Sequence, residues 1–117
     1  MGTLFRFVTV LAALATVACT LRERVVVILS TNDMHAKIER FAQLAAAVER
    51  CRDTVPDVVL VDAGDRWTGN AFVDKAPTPG MPMLSLMNRL RFDVATLGNH
   101  EFDLGQAFLG RMLDSMR

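Results

Sequence analysis

The chain carries no surplus of either charge. Its 13 Lys and Arg residues balance 13 Asp and Glu residues, and the basic ones are scattered, so nothing marks a surface for a nucleic-acid polymer. Cysteine is scarce: only Cys19 and Cys51 are present, which rules out a disulfide framework. Histidine is as scarce, with His35 and His100 alone. There are no internal repeats and no low-complexity tract. At 117 residues the chain holds one domain at most. The uncharged apolar stretch from Phe7 to Ala18 falls short of the ~20 residues a membrane-spanning helix needs.

That stretch follows a single positive charge, Arg6, and ends in Thr16-Val17-Ala18-Cys19. One cation, a short apolar core and small residues before a cleavage point are the pattern of a secretory signal. Small residues directly before Cys19 resemble a bacterial lipoprotein signal, in which the cysteine is acylated and becomes the new N-terminus. Thr16 stands where that signal usually has Leu, and the alternatives are ordinary secretion and a retained anchor or start-site error. The expectation is a signal over 1–19, export to the cell envelope or periplasm, and a membrane contact made through lipid on Cys19.

The remainder alternates apolar runs with amphipathic stretches. Val25 to Leu29 is a β-branched run of the kind buried on both faces of a parallel sheet. A helix is predicted over 38–52, where Ile38, Phe41, Ala45 and Val48 share one face and Lys37, Glu39, Arg40, Glu49 and Arg50 supply the solvent side. Cys51 falls on this helix as a small packed residue. A second strand spans Val58 to Val61. Residues 70–82 read as loop because of Pro77, Pro79, Gly80 and Pro82. A short helix over Met83 to Leu90, a strand over Val94 to Leu97 and a helix over Ala107 to Met116 complete the order β-α-β-α-β-α. The fold class is therefore α/β, with a three-stranded parallel sheet and right-handed crossovers.

Each strand is followed by a short polar cluster: Asp33-Met34-His35, then Gly64-Asp65, then Gly98-Asn99-His100-Glu101. Ligands collect at the carboxyl ends of parallel strands, where loops converge. In an extended segment Asp33 and His35 would share a face and reach one ion, although an isolated Asp-x-His also serves as a loop cap. Gly64 permits a sharp turn, and the Asp65 carboxylate has enough lone pairs to bridge two ions, although Gly-Asp is common in turns. The Asn99 amide oxygen is a neutral ligand, the His100 imidazole can donate a proton, and Asp103 can orient that ring. An Asn-His turn capping the next helix is the bland alternative. Three such clusters in register point to a divalent metal site of the Zn²⁺ or Mn²⁺ kind.

The segments Ile28 to His35, Val61 to Gly69 and Thr96 to Gly105 resemble the N-terminal part of the 5′-nucleotidase family, within the calcineurin-like metallophosphoesterases. Asn88 and Phe92-Asp93 fit the usual approach to the third motif. Ala36 departs from it, standing where the family usually has glycine. The resemblance implies part of a β-sandwich metallophosphoesterase domain over 20–117 that binds two divalent ions. Asp33 and His35 would bind the first metal, Asp65 would bridge both, and Asn99 would bind the second. His100 would act on the scissile phosphate, with Asp103 fixing its orientation, while Glu101 and Phe102 would be structural. The implied substrates are nucleoside monophosphates and related phosphate esters. It also implies that further histidine ligands and a nucleoside-holding domain lie in later sequence, so that these 117 residues are expected to be a truncated part, inactive alone. The alternative is an inert product, or an envelope protein that binds a metal or partner without catalysis.

Overall fold

The computed structural model describes residues 23–117; the expected signal over 1–19 and Cys19 lie outside them. The element order is β1 (Val26–Thr31), a 3-10 turn (Ile38–Arg40), α1 (Phe41–Thr54), β2 (Asp57–Asp62), α2 (Ala71–Asp74), α3 (Met81–Leu90), β3 (Val94–Ala95), a 3-10 turn (His100–Phe102) and α4 (Gln106–Asp114). The three strands form one parallel sheet in the order β1-β2-β3, as the alternation of strand and helix predicts. The register pairs Thr31 with Asp62 and Asp62 with Ala95. All three strands therefore release their chains at the same edge.

The core lies between the helices and one face of the sheet. Leu60 of β2, Phe41 and Val48 of α1, Met83, Leu84, Met87 and Leu90 of α3, and Phe108, Leu109 and Met112 of α4 are buried together with Trp67. The α1 stripe is as its spacing predicts, with Ile38 and Ala45 packed at its margin. Cys51 is half-buried and has no disulfide partner among the described residues. Polar side chains tie the helices to one another. Arg52 of α1 donates to the terminal carbonyls of α3, Leu90 O at 2.7 Å and Arg91 O at 2.9 Å, satisfying groups that a helix end leaves without partners. Asn88 donates to Ser115 O at 2.8 Å and so pins α4. Asp93 accepts from Leu60 N at 2.8 Å, fixing the approach to β3.

Two expectations need correction. β1 is not buried on both faces: Val26 and Ile28 are 55% and 68% exposed, while Val27 and Leu29 are half-buried. Ile28 is in register with Val59, and Val61 with the exposed Val94, so these residues line one sheet face that no described helix covers. A continuous apolar run tells that a strand can be buried on both sides, not that both sides have a partner. The stretch 70–82 also holds more structure than its prolines suggested. Asn70 accepts from Phe72 N at 2.9 Å and caps α2, and Pro82 sits in the first turn of α3, where a missing N–H costs nothing.

Candidate metal centre

The loop after β1 is built from strained backbone. Asp33, His35 and Ala36 have φ of +50°, +45° and +55°, a region that costs about 1–2 kcal/mol for each side chain with a Cβ. The expectation of an extended segment with Asp33 and His35 on one face is therefore incorrect. The two come together through left-handed turns, with Asp33 Oδ1 3.5 Å from His35 Nε2. What holds the strain is a ladder to the second loop: Asp33 N donates to Gly64 O at 3.1 Å, His35 N to Asp65 O at 2.9 Å and Ala36 N to Arg66 O at 2.7 Å. Ala36 shows why glycine would suit this position.

The loop after β2 turns through Gly64, with φ +107°, and Asp65, with φ +56°. A Cβ on Gly64 would fall 2.4 Å from Gly98 N, and one on Gly98 would fall 2.2 Å from Asp65 Oδ1. Neither position has room for a methyl group, so the second and third loops touch backbone to backbone. Asp65 Oδ1 accepts from His100 N at 2.8 Å, which orients the carboxylate. Below it, Asp62 and Arg66 form a fully buried pair, with Arg66 Nε 2.6 Å from Asp62 Oδ2. Asp62 also accepts from Thr31 Oγ1 at 2.8 Å, and Arg66 Nη2 donates to Thr96 O. One ion pair thus links the ends of all three strands.

In the third loop Asn99 is exposed, and its side chain makes no capping bond to the turn it precedes, so capping does not explain it. His100 Nδ1 is 2.7 Å from Asp103 Oδ2. Thr68 Oγ1 donates to the same oxygen at 3.2 Å. The hydrogen bond with Asp103 holds the His100 imidazole above its usual pKa, against some desolvation, with the negative charges of Asp103, Asp65 and Glu101 adding to it. The same hydrogen bond holds the Asp103 carboxyl below its usual range, helped by Thr68.

Ligand atoms of His35, Asp65 and His100 all lie within 4.8 Å of one another, one from each loop, and form the single such group of three among the described residues. The two imidazoles meet edge to face, with ring centroids 5.0 Å apart at 76°. Two nitrogens and a carboxylate oxygen converging at this range suit a borderline divalent ion. Asp33 lies exposed beside His35, outside this trio.

Sequence reasoning missed Thr68 and underrated Glu101. Glu101 is fully buried and accepts from Asp65 N at 2.8 Å, Arg66 N at 2.9 Å and Gly98 N at 2.6 Å. Its place directly after His100 was the available signal. Phe102, also expected to be structural, is half exposed.

The model of the calcineurin-like phosphoesterase family matches residues 26–114. The chain is 34% identical over 86 residues to the trifunctional nucleotide phosphoesterase protein YfkN of Bacillus subtilis, covering 74% of this chain and 6% of that protein. It is 35% identical over 95 residues to human 5′-nucleotidase, covering 67% of this chain and 16% of that enzyme. A crystal structure of a Staphylococcus aureus protein described as a 5′-nucleotidase superposes with a TM-score of 0.67 at 21% identity, over 77% of this chain and 21% of that one. The last likeness bears on fold alone, and the chain spans a fifth or less of the length of the two curated relatives. By the family match over most of its length, and by a sheet edge where three loops bring metal-ligating side chains together, the chain belongs to the calcineurin-like phosphoesterase family.

Proposed function

We propose that residues 20–117 are the first part of a catalytic domain that hydrolyses nucleotide phosphate esters with two divalent ions of the Zn²⁺ or Mn²⁺ class. The observation that carries this is the convergence of His35, Asp65 and His100 from three separate loops, in a chain similar to nucleotide phosphoesterases. Asp33 and His35 would hold the first ion, Asp65 both, and Asn99 the second. A pair of such ions supplies an activated water and charge stabilisation for attack on phosphorus. Of the chain's own groups, Asp65 is held in place by the His100 backbone N–H. The His100 imidazole, whose pKa the hydrogen bond to Asp103 raises, is suited to donate a proton or hydrogen bond to the phosphate ester's leaving oxygen. Asp103 would act through His100 as its orienting partner.

A second reading is supported by the same trio. His100 offers Nε2 while Asp103 occupies Nδ1, so His100 itself could complete a single-ion site with His35 and Asp65 in a protein that binds metal without catalysis. Calorimetric titration of the chain with Mn²⁺ and Zn²⁺ separates the two. Under the phosphoesterase reading Asp65→Ala loses binding and His100→Ala keeps it. The single-ion reading predicts loss of binding in both variants, and loss in His100→Ala, with or without loss in Asp65→Ala, would overturn the assigned roles. Binding by this chain is expected to be weak, because each ion finds two or three protein ligands where about four to six donors make a tight site. Sub-micromolar binding of two ions would contradict that.

Residues 1–19 would act as an export signal, with lipid on Cys19 holding the protein at the cell envelope or periplasm. Cys19→Ser should abolish incorporation of labelled fatty acid and move the protein out of the membrane fraction. Labelling that persists would overturn the anchor.

A further inference from the structure

We infer, resting on the metal-site reading above, that Glu101 is a positioning residue that sets the spacing between the two loops carrying Asp65 and Asn99-His100. Its side chain is fully buried, and its two oxygens divide between the loops in a particular way. Oε2 accepts from Asp65 N at 2.8 Å and from Gly98 N at 2.6 Å, one amide from each loop, while Oε1 accepts from Arg66 N at 2.9 Å. A single oxygen atom therefore fixes the separation of the two loops. A carboxylate suits this because it only accepts, whereas three converging N–H donors would repel any group that also donates. Gly64 and Gly98 allow the close approach, since a Cβ on either would clash with the opposite loop. Glu101 then selects one spacing within it. The contact is made immediately beside the proposed ligands: Asp65 supplies one of the donors, and Asn99 and His100 lie between Gly98 and Glu101. Glu101 touches neither substrate nor metal; it acts through Asp65 and the third loop, as groups bonded behind metal ligands do in general.

The test compares Glu101→Gln with Val48→Ala in the 117-residue chain. Gln keeps the size of Glu but points an amide N–H₂ at the donors. Val48 is a core residue of α1 and belongs to none of the three loops, so its truncation lowers stability without removing any hydrogen bond between them. Hydrogen exchange and Co²⁺ titration by visible absorption are read on both. In Glu101→Gln the amides of Asp65, Arg66 and Gly98 should exchange about tenfold faster or more, as expected for a lost buried hydrogen bond, while amides within the β1–β2 ladder keep their rates. Co²⁺ affinity should fall by about 10–100-fold, with an altered Co²⁺ spectrum. Val48→Ala should leave Co²⁺ affinity within about twofold, because its side chain bonds to none of the loop amides. Equal loss of affinity in the two variants, or exchange that quickens evenly across loops and sheet, would show Glu101 to be ordinary core and overturn the inference. Should Glu101→Gln fail to fold, Glu101→Asp, which keeps both oxygens but withdraws them by one methylene, is judged by the same readouts. A parent chain that binds no Co²⁺ refutes the metal reading, and loop-selective exchange then decides for or against Glu101 on its own.

Discussion

The loops after β1 and β3 face each other across the same centre but are held in different ways. The first is fixed almost wholly by backbone. Three of its residues sit at positive φ, and three of its amides bond to carbonyls of the middle loop. Among its side chains only that of Ala36 is fully buried. The third loop is fixed by a side chain and by the absence of others: Glu101 gathers three amides, and Gly98 leaves room for Asp65. The first loop should therefore tolerate side-chain changes that the third does not, although both present proposed ligands. Backbone ladders ignore side-chain identity, whereas a buried carboxylate and a glycine contact depend on it entirely.

Gly98→Ala gives the largest expected contrast. Its new methyl would overlap Asp65 Oδ1 at 2.2 Å and Asp65 N at 2.8 Å, so the loops must part or the chain unfold. A loss of about 4 kcal/mol or more is expected, in the range that marks a specific steric failure. Asn32→Ala in the first loop removes only a contact with the neighbouring Asp33, at an exposed site, and should stay within about 0.5 kcal/mol. Chemical denaturation of the two variants measures both. Similar losses would dissolve the distinction between the loops.

Of intermediate size is the pairing inside the third loop. In the metal-free chain His100 should titrate above the ordinary imidazole value of about 6.5, because the proton it gains is shared with Asp103. Since the folded-state pKa is raised, the stabilising contribution is full below the unfolded value and fades as pH rises through the folded one. Asp103→Asn should bring the His100 pKa down. Proton NMR of the two imidazoles reads this directly, and an unchanged His100 titration in the variant would separate the two side chains in solution.

The smallest effect belongs to the first loop. Ala36→Gly would relieve a left-handed residue, a gain of about 1–2 kcal/mol. It would also remove a fully buried methyl worth about 0.8 kcal/mol and add unfolded-chain freedom worth about 0.4–1 kcal/mol. These offset, so thermal denaturation should move by no more than about 1 kcal/mol. A large loss would mean that the Ala36 methyl, and not the backbone ladder, organises this loop.

Much of this was legible in the sequence. Strand and helix alternation dictated the parallel sheet, the 3.6-residue stripe on α1 dictated which side it buries, and the polar clusters after each strand marked the edge where His35, Asp65 and His100 meet. Those features are local: a β-branched run, an amphipathic period and a glycine before a carboxylate each act over a few residues. Only the tertiary structure decided that Asp33 and His35 meet through left-handed turns, that Thr68 joins Asp103, that Glu101 ties two loops together and that no described helix covers one sheet face. Each of these depends on residues some 30 or more positions apart, or on which side of a strand finds a partner. A one-dimensional pattern names the face a residue can present; it does not say what the rest of the chain brings to meet it.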